Sequence, residues 1–166
     1  MRLARWEPWV RDVLAGSPAI AKVAPFNAVD IHHKPCGTAV QFQAGAQVYV
    51  QWIRASGGAG DDHSIPEEPV TGPAPEPVEV PDLPTSGRLP MRQVEAHLVA
   101  LITNAANPEI KSVAGKAQQN GEDGPRPYGL EIQYYSGHVN YGLFLHTLPA
   151  GAQPSKEGEF QQRKEI

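Results

Sequence analysis

GTAVQFQAGAQVYVQWIR, residues 37–54, aligns without a gap against GLEIQYYSGHVNYGLFLH, residues 129–146. Gly37, Gln41, Gly45 and Tyr49 meet the identical residues Gly129, Gln133, Gly137 and Tyr141, while Val40 meets Ile132, Phe42 meets Tyr134, Trp52 meets Phe144 and Ile53 meets Leu145. Each stretch reads as a β-hairpin: apolar positions at period two, then Ala44-Gly45 or Ser136-Gly137, then a return strand. Glycine supplies the positive φ of a tight turn. In the first hairpin Val40 and Phe42 alternate with Gln41 and Gln43, which predicts one buried and one wet face. In the second, Val139, Tyr141, Leu143 and Leu145 fall on the opposite parity from Val48, Val50 and Trp52, so one return strand is either buried on both faces or shifted in register.

Upstream of each hairpin the pattern changes to helical spacing. Leu3, Trp6, Val10, Val13 and Leu14 share a register with Met91, Val94, Leu98, Leu101 and Ile102, and Glu7 coincides with Glu95. Ser17-Pro18 with Ile20 and Val23, and Asn107-Pro108 with Ile110 and Val113, then predict a short helical turn in each half, because a capping side chain followed by proline opens a helix. The offsets between halves grow from 88 to 90 to 92, which places small insertions in the connecting loops. The fold class expected is therefore α+β: two pseudo-repeated helix–β-hairpin units, residues 1–55 and 91–150, sharing a mainly antiparallel sheet, since a lone hairpin is marginal in water. An additional strand over residues 28–32 is expected in the first half only, and KAQQNGEDGPRP, residues 116–127, reads as a loop.

Residues 56–90 separate the units and differ sharply in composition. Proline recurs every few residues from Pro66 to Pro90, and seven carboxylates from Asp61 to Asp82 meet no Lys or Arg before Arg88. Such a segment forms neither helix nor central strand and is expected to be extended and semi-rigid. It is either a solvated spacer or an arm that docks on a partner. In the second reading the partner-binding residues are Ile65, Val70, Val78, Val80 and Leu83, and residues 61–88 lie ordered against another chain. Residues 151–166 read as a polar, frayed tail.

A net charge of −4 and a pI near 5.8 disfavour nucleic acid and anionic membranes as partners. No stretch approaches membrane-spanning length, and the N-terminal residues lack the apolar run of a signal peptide, so cytoplasmic synthesis is expected. Cys36 is the single cysteine, which leaves no intrachain disulfide. His32, His33 and Cys36 are metal-ligating residue types, but their spacing matches no recurrent zinc pattern, and the fourth ligand would have to come from His63, His138 or a distant carboxylate. No metal and no cofactor are expected. Ser136 and His138 adjoin on a turn without a third group to orient the base, and no phosphate-cradling loop or nucleophile elbow is present, so the chain is expected not to be an enzyme.

The two hairpins, the VPDLPTSGR stretch of residues 80–88 and the Ala, Gly and Pro bias together resemble small head and tail structural proteins of tailed phages that infect GC-rich actinobacteria. The resemblance implies a non-enzymatic virion or phage-like assembly component, with copies of itself and other assembly proteins as partners. The alternative is a small binding module that recognises nucleic acid or a small ligand through Tyr49, Trp52, Tyr134, Tyr135, Tyr141 and Phe144, since sheet-borne aromatics stack on bases.

Overall fold

The structure is a computed structural model that describes residues 1–29, 31, 34–55, 66–123, 127–154 and 162–166. Helix α1 (Leu3–Ala15) leads into β1 (Ile20–Pro25), a 3₁₀ turn (Phe26–Val29), β2 (Gly37–Phe42) and β3 (Gln47–Ala55). Helix α2 (Met91–Asn104) then leads into β4 (Ile110–Gly115), the short α3 (Lys116–Asn120), β5 (Gly129–Tyr134) and β6 (Val139–Leu148). The six strands form one antiparallel sheet in the order β1-β2-β3-β6-β5-β4, so the two halves meet along β3 and β6.

The core lies between the two long helices and one face of the sheet. Trp6 is fully buried, with its ring centroid 5.2 Å from those of both Trp9 and Trp52 and 6.2 Å from that of Tyr134. Trp52 needs room on the adjacent strand, and Gly142 provides it: a Cβ there would lie 2.6 Å from the Trp52 ring. A smaller cluster on the opposite face packs Phe26 and Ile31 over Ala39, Tyr49, Leu145 and Leu148. On the same face, away from that cluster, Ile53 is 39% exposed.

Where helical turns were expected at residues 17–24 and 107–114, the chain forms strands β1 and β4. Both pair with a β-bulge, between Ile20 and Lys22 and between Ile110 and Ser112. A bulge adds one residue, so inward side chains fall three apart, as Ile20 and Val23 or Ile110 and Val113 do, and mimic helical spacing. The Ser17 hydroxyl and the Asn107 carbonyl oxygen each accept from the amide two residues on, closing a turn instead of starting a helix. Two further expectations fail. The stretch that follows β1 turns into the 3₁₀ helix at Phe26, with Ile31 N donating to Phe26 O, rather than forming a strand from Ala28; Asp30, His32 and His33 lie outside the described residues. The predicted loop after β4 begins with α3, whose first amides are satisfied by Glu95, a partner too distant in sequence to be read locally.

The parity conflict of the return strands resolves in β6. Asn140, Gly142 and Phe144 face the helices, and the pairing with β3 shifts where Tyr49 opposes His146 but Val50 opposes Phe144. Beyond that irregularity Leu145 to Leu148 are all buried. Nor is the C-terminus frayed. Leu89 and Ile166 exchange backbone hydrogen bonds, Met91 N donates to Lys164 O, and the Ile166 side chain is buried.

Contacts recur between the halves at the same offsets. Gly37 N donates to Glu7 Oε1 at 2.8 Å, and Gly129 N to Glu95 Oε1 at 2.8 Å. Gln43 N bonds Ala19 O at 2.9 Å, and Tyr135 N bonds Glu109 O at 3.1 Å. The turn glycines Gly45 and Gly137 have φ of 84° and 80°. Across the central seam Gln51 opposes Leu143, with Val50–Phe144 and Trp52–Gly142 on either side of that pair.

Candidate functional site

The proline-rich segment from Pro66 to Pro90 has no regular secondary structure beyond a single bridge from Pro90 to Glu165; it starts against the first half of the molecule at Glu67 and from Gly72 runs along the second. Its hold is directed at backbone groups. Gly72 N donates to Pro108 O at 2.9 Å, and the Tyr135 hydroxyl donates to Pro73 O at 2.8 Å. Gly72 sits so close to that ring that a Cβ would lie 2.4 Å from it. Further on, Asn104 brackets one residue of the arm, accepting from Val78 N and donating to Val78 O, both at 2.8 Å. An extended proline-rich chain offers carbonyls that its own prolines cannot satisfy, and these side chains from α2 and the hairpin turn supply the missing partners.

His97 makes the next tie. Its Nδ1 lies 2.7 Å from Pro81 O, and because a carbonyl only accepts, Nδ1 carries the proton. Nε2 lies 3.0 Å from the Ser17 hydroxyl, from which a neutral ring accepts. Serine, imidazole and an orienting oxygen stand here in the order of an activated nucleophile. Ser17 and His97 are, however, only 5% and 3% exposed, and the chain of bonds joins the end of α1, α2 and the arm. Ser136 Oγ and His138 Nδ1 are 3.3 Å apart on the hairpin turn, with no third group among the described residues orienting the ring.

At its start the arm is held by charge. Glu67 accepts from Arg2 N at 2.5 Å and from Arg5 Nη1 at 3.1 Å, and Arg54 Nη1 lies 3.8 Å away. Arg5 also donates to both carboxylate oxygens of Glu109, at 2.6 and 3.3 Å. Burial alone raises the Glu67 carboxyl, but the Arg5 hydrogen bond, the Met1 ammonium and the Arg2 amide outweigh it and hold the group below the ordinary carboxylate range. Glu95 behaves in the opposite way. Its burial outweighs the amides of Gly129, Ala117, Gln118 and Lys116 and pushes the carboxyl up.

Between the arm, α2 and the outer edge of β4 runs an open groove of about 560 Å³. Its floor is apolar, with Ala96, Val99 and Ala100 from the helix and Val113 from the strand. The arm wall carries Val78 with Glu76 and Glu79, while Arg92 and Lys111 stand on the helix and strand walls.

The predicted arm residues are thus distributed unevenly. Leu83 is buried in the chain's own core rather than left for a partner, and Val80 is half-buried. Val70 and Val78 are each 47% exposed. Ile65 and His63 lie outside the described residues, as do His32 and His33. Cys36 is half-buried, and burial, then the charge of Glu7, pushes its thiol up. Among the described residues no group of three His, Cys, Asp or Glu is placed to hold a metal ion, and no helix is long and apolar enough to cross a membrane. Of the hairpin aromatics, Tyr49, Trp52, Tyr134 and Phe144 are buried and only Tyr135 and Tyr141 are half-buried, which leaves little ring surface for stacking on a base. The sequence reading missed His97, Asn104 and Arg5 as receivers of the arm, since each acts on residues far away along the chain; only the proline-rich composition of the arm signals that such partners are required.

Comparison with protein-family models, with curated proteins and with solved structures finds no match to this chain.

Proposed function

We propose that this chain is a non-catalytic assembly protein built from two duplicated units, and that it serves as a self-associating structural component of a virion or phage-like particle. The paired contacts Glu7–Gly37 and Glu95–Gly129, and the matching bulges of β1 and β4, support the duplication. The resemblance of its hairpins and of residues 80–88 to phage structural proteins supplies the setting.

The observation that carries the assembly reading is the arm. Residues 66–90 are held on α2 and the second hairpin turn through backbone-directed bonds, with Val78 left outward beside an open groove and Val70 exposed nearer the arm's start. An extended proline-rich segment loses little conformational freedom on being held, so it builds a contact surface at low entropic cost. Replacing residues 61–86 by a short flexible linker and weighing the product in solution tests this. Loss of the oligomer, with folding retained by circular dichroism, is expected; a shortened chain that assembles as well as the parent contradicts the reading.

A further inference from the structure

Residues 162–166 are held to the body as a plug is held in a socket. The Gln162 side chain stands in for a neighbouring strand, accepting from Tyr128 N at 3.0 Å and donating to Tyr128 O at 3.0 Å and to Phe144 O at 2.8 Å. Arg163 N donates to the Thr147 hydroxyl at 2.7 Å, Met91 N donates to Lys164 O at 2.8 Å, and Leu89 and Ile166 exchange backbone bonds. The Ile166 side chain, 2% exposed, ends in the core that both halves share. One short stretch therefore carries a complete set of recognition contacts.

The socket is assembled from parts distant in sequence: the arm's end at Leu89, the first amide of α2, Tyr128 before β5, and Phe144 and Thr147 of β6. Leu89, Tyr128, Phe144 and Thr147 are all buried. Their backbone groups need a partner whichever chain supplies the plug. Pro154 and Gln162 are joined by the residues SKEGEFQ, a covalent reach of about 25 Å. Filling the socket of a second copy keeps every hydrogen bond and the burial of Ile166. It gives up only the effective concentration that a short tether supplies, of millimolar order. Where copies are packed against one another in an assembly, that advantage of the plug's own socket disappears.

We infer that residues 162–166 of one copy fill the socket of the next, so that the plug links neighbouring copies. This rests on the self-association proposed above and names its contact. The arm takes part in the same junction, because Leu89 at its end is one wall of the socket. Reciprocal exchange closes a pair and onward exchange extends a chain, through the same contact in either case.

Pro90 and Glu165 face each other in an antiparallel bridge, flanked by the Leu89–Ile166 bonds on one side and the Met91–Lys164 bond on the other. They are thus a non-hydrogen-bonded pair, the kind whose side chains lie closest and which a disulfide can join. The test is oxidation of the variant Pro90→Cys/Glu165→Cys, made with Cys36→Ser so that no other thiol is present, at a concentration where the parent self-associates. The disulfide is expected to join separate chains, giving multiples of 17.9 kDa on a non-reducing gel. A disulfide closed within single chains, leaving the mass at 17.9 kDa, overturns the exchange while self-association stands. The unsubstituted chain gives a second reading. In a reassociated mixture of isotopically labelled and unlabelled parent, filtered NOEs are expected between Ile166 of one copy and Leu89 of another; finding that contact only within a copy also overturns the exchange. A parent that sediments as a monomer at every concentration overturns both proposals.

Discussion

Glu95 is the residue on which the second half turns. Its carboxylate is 2% exposed and receives the amides of Ala117 and Gly129, ending one helix's orphan donors and fixing the first residue of β5 at once. Glu7 performs the second of these tasks in the first half, accepting from Gly37 N, but it is half-buried and also faces Arg11 at 3.6 Å. Truncation leaves buried amides without acceptors in one case and a partly hydrated amide in the other. Glu95→Ala is therefore expected to cost about 2–4 kcal/mol and Glu7→Ala about 1 kcal/mol, read from urea unfolding midpoints. Equal losses at the two positions would show that the burial difference carries no energetic weight. Both residues were legible as a repeated Glu in the helix register, and their glycine partners as the repeated start of a hairpin. That the two are bonded to each other was not, because no local pattern links residues 30 or more apart.

At the scale of elements, hairpins and long helices followed from periodicity, and the outer strands did not. β1 and β4 carry a bulge that converts period two into a spacing of three, so the helical template fitted them by accident. α3 escaped notice because its cap comes from another element. The end of α2 shows a different departure from local rules: Ala106 has φ 51°, in the left-handed region where glycine is the ordinary residue. Ala106→Gly is expected to raise stability by about 0.5–1 kcal/mol, measured by the unfolding midpoint, with the slope unchanged.

The arm's first anchor is an electrostatic element with a defined pH dependence. Glu67 has a folded pKa below its ordinary value, so its contribution is complete above the ordinary carboxylate range and is lost as pH falls through the depressed value. Glu95 has a raised folded pKa, so stability falls as pH climbs from the ordinary range toward the raised value, the opposite slope. The comparison that isolates Glu67 is parent against Glu67→Gln. Below about pH 4 the parent is expected to lose stability faster than the variant. Parallel curves for the two proteins would mean that the Arg5 and Arg2 contacts hold the arm without help from the charge.

On the scale of the whole molecule, two features that composition kept separate turn out to be one construction. From Gly72 on the proline-rich segment lies along the second unit, and Leu83, which reads as a residue for a partner, is buried in the core that both halves share. Where Ala96, Val99 and Ala100 line the groove beside the arm, the residues 88 positions earlier in α1 are Pro8, Arg11 and Asp12. The prolines and carboxylates were visible in the sequence, but their seat was not, because it is made by single polar side chains, His97, Asn104 and Tyr135, scattered over two elements.

Sedimentation equilibrium of the full chain over a range of concentrations at neutral pH and moderate salt tests self-association most directly. The expected result is a mass that rises with concentration through multiples of 17.9 kDa. A constant mass of 17.9 kDa at every concentration would contradict it.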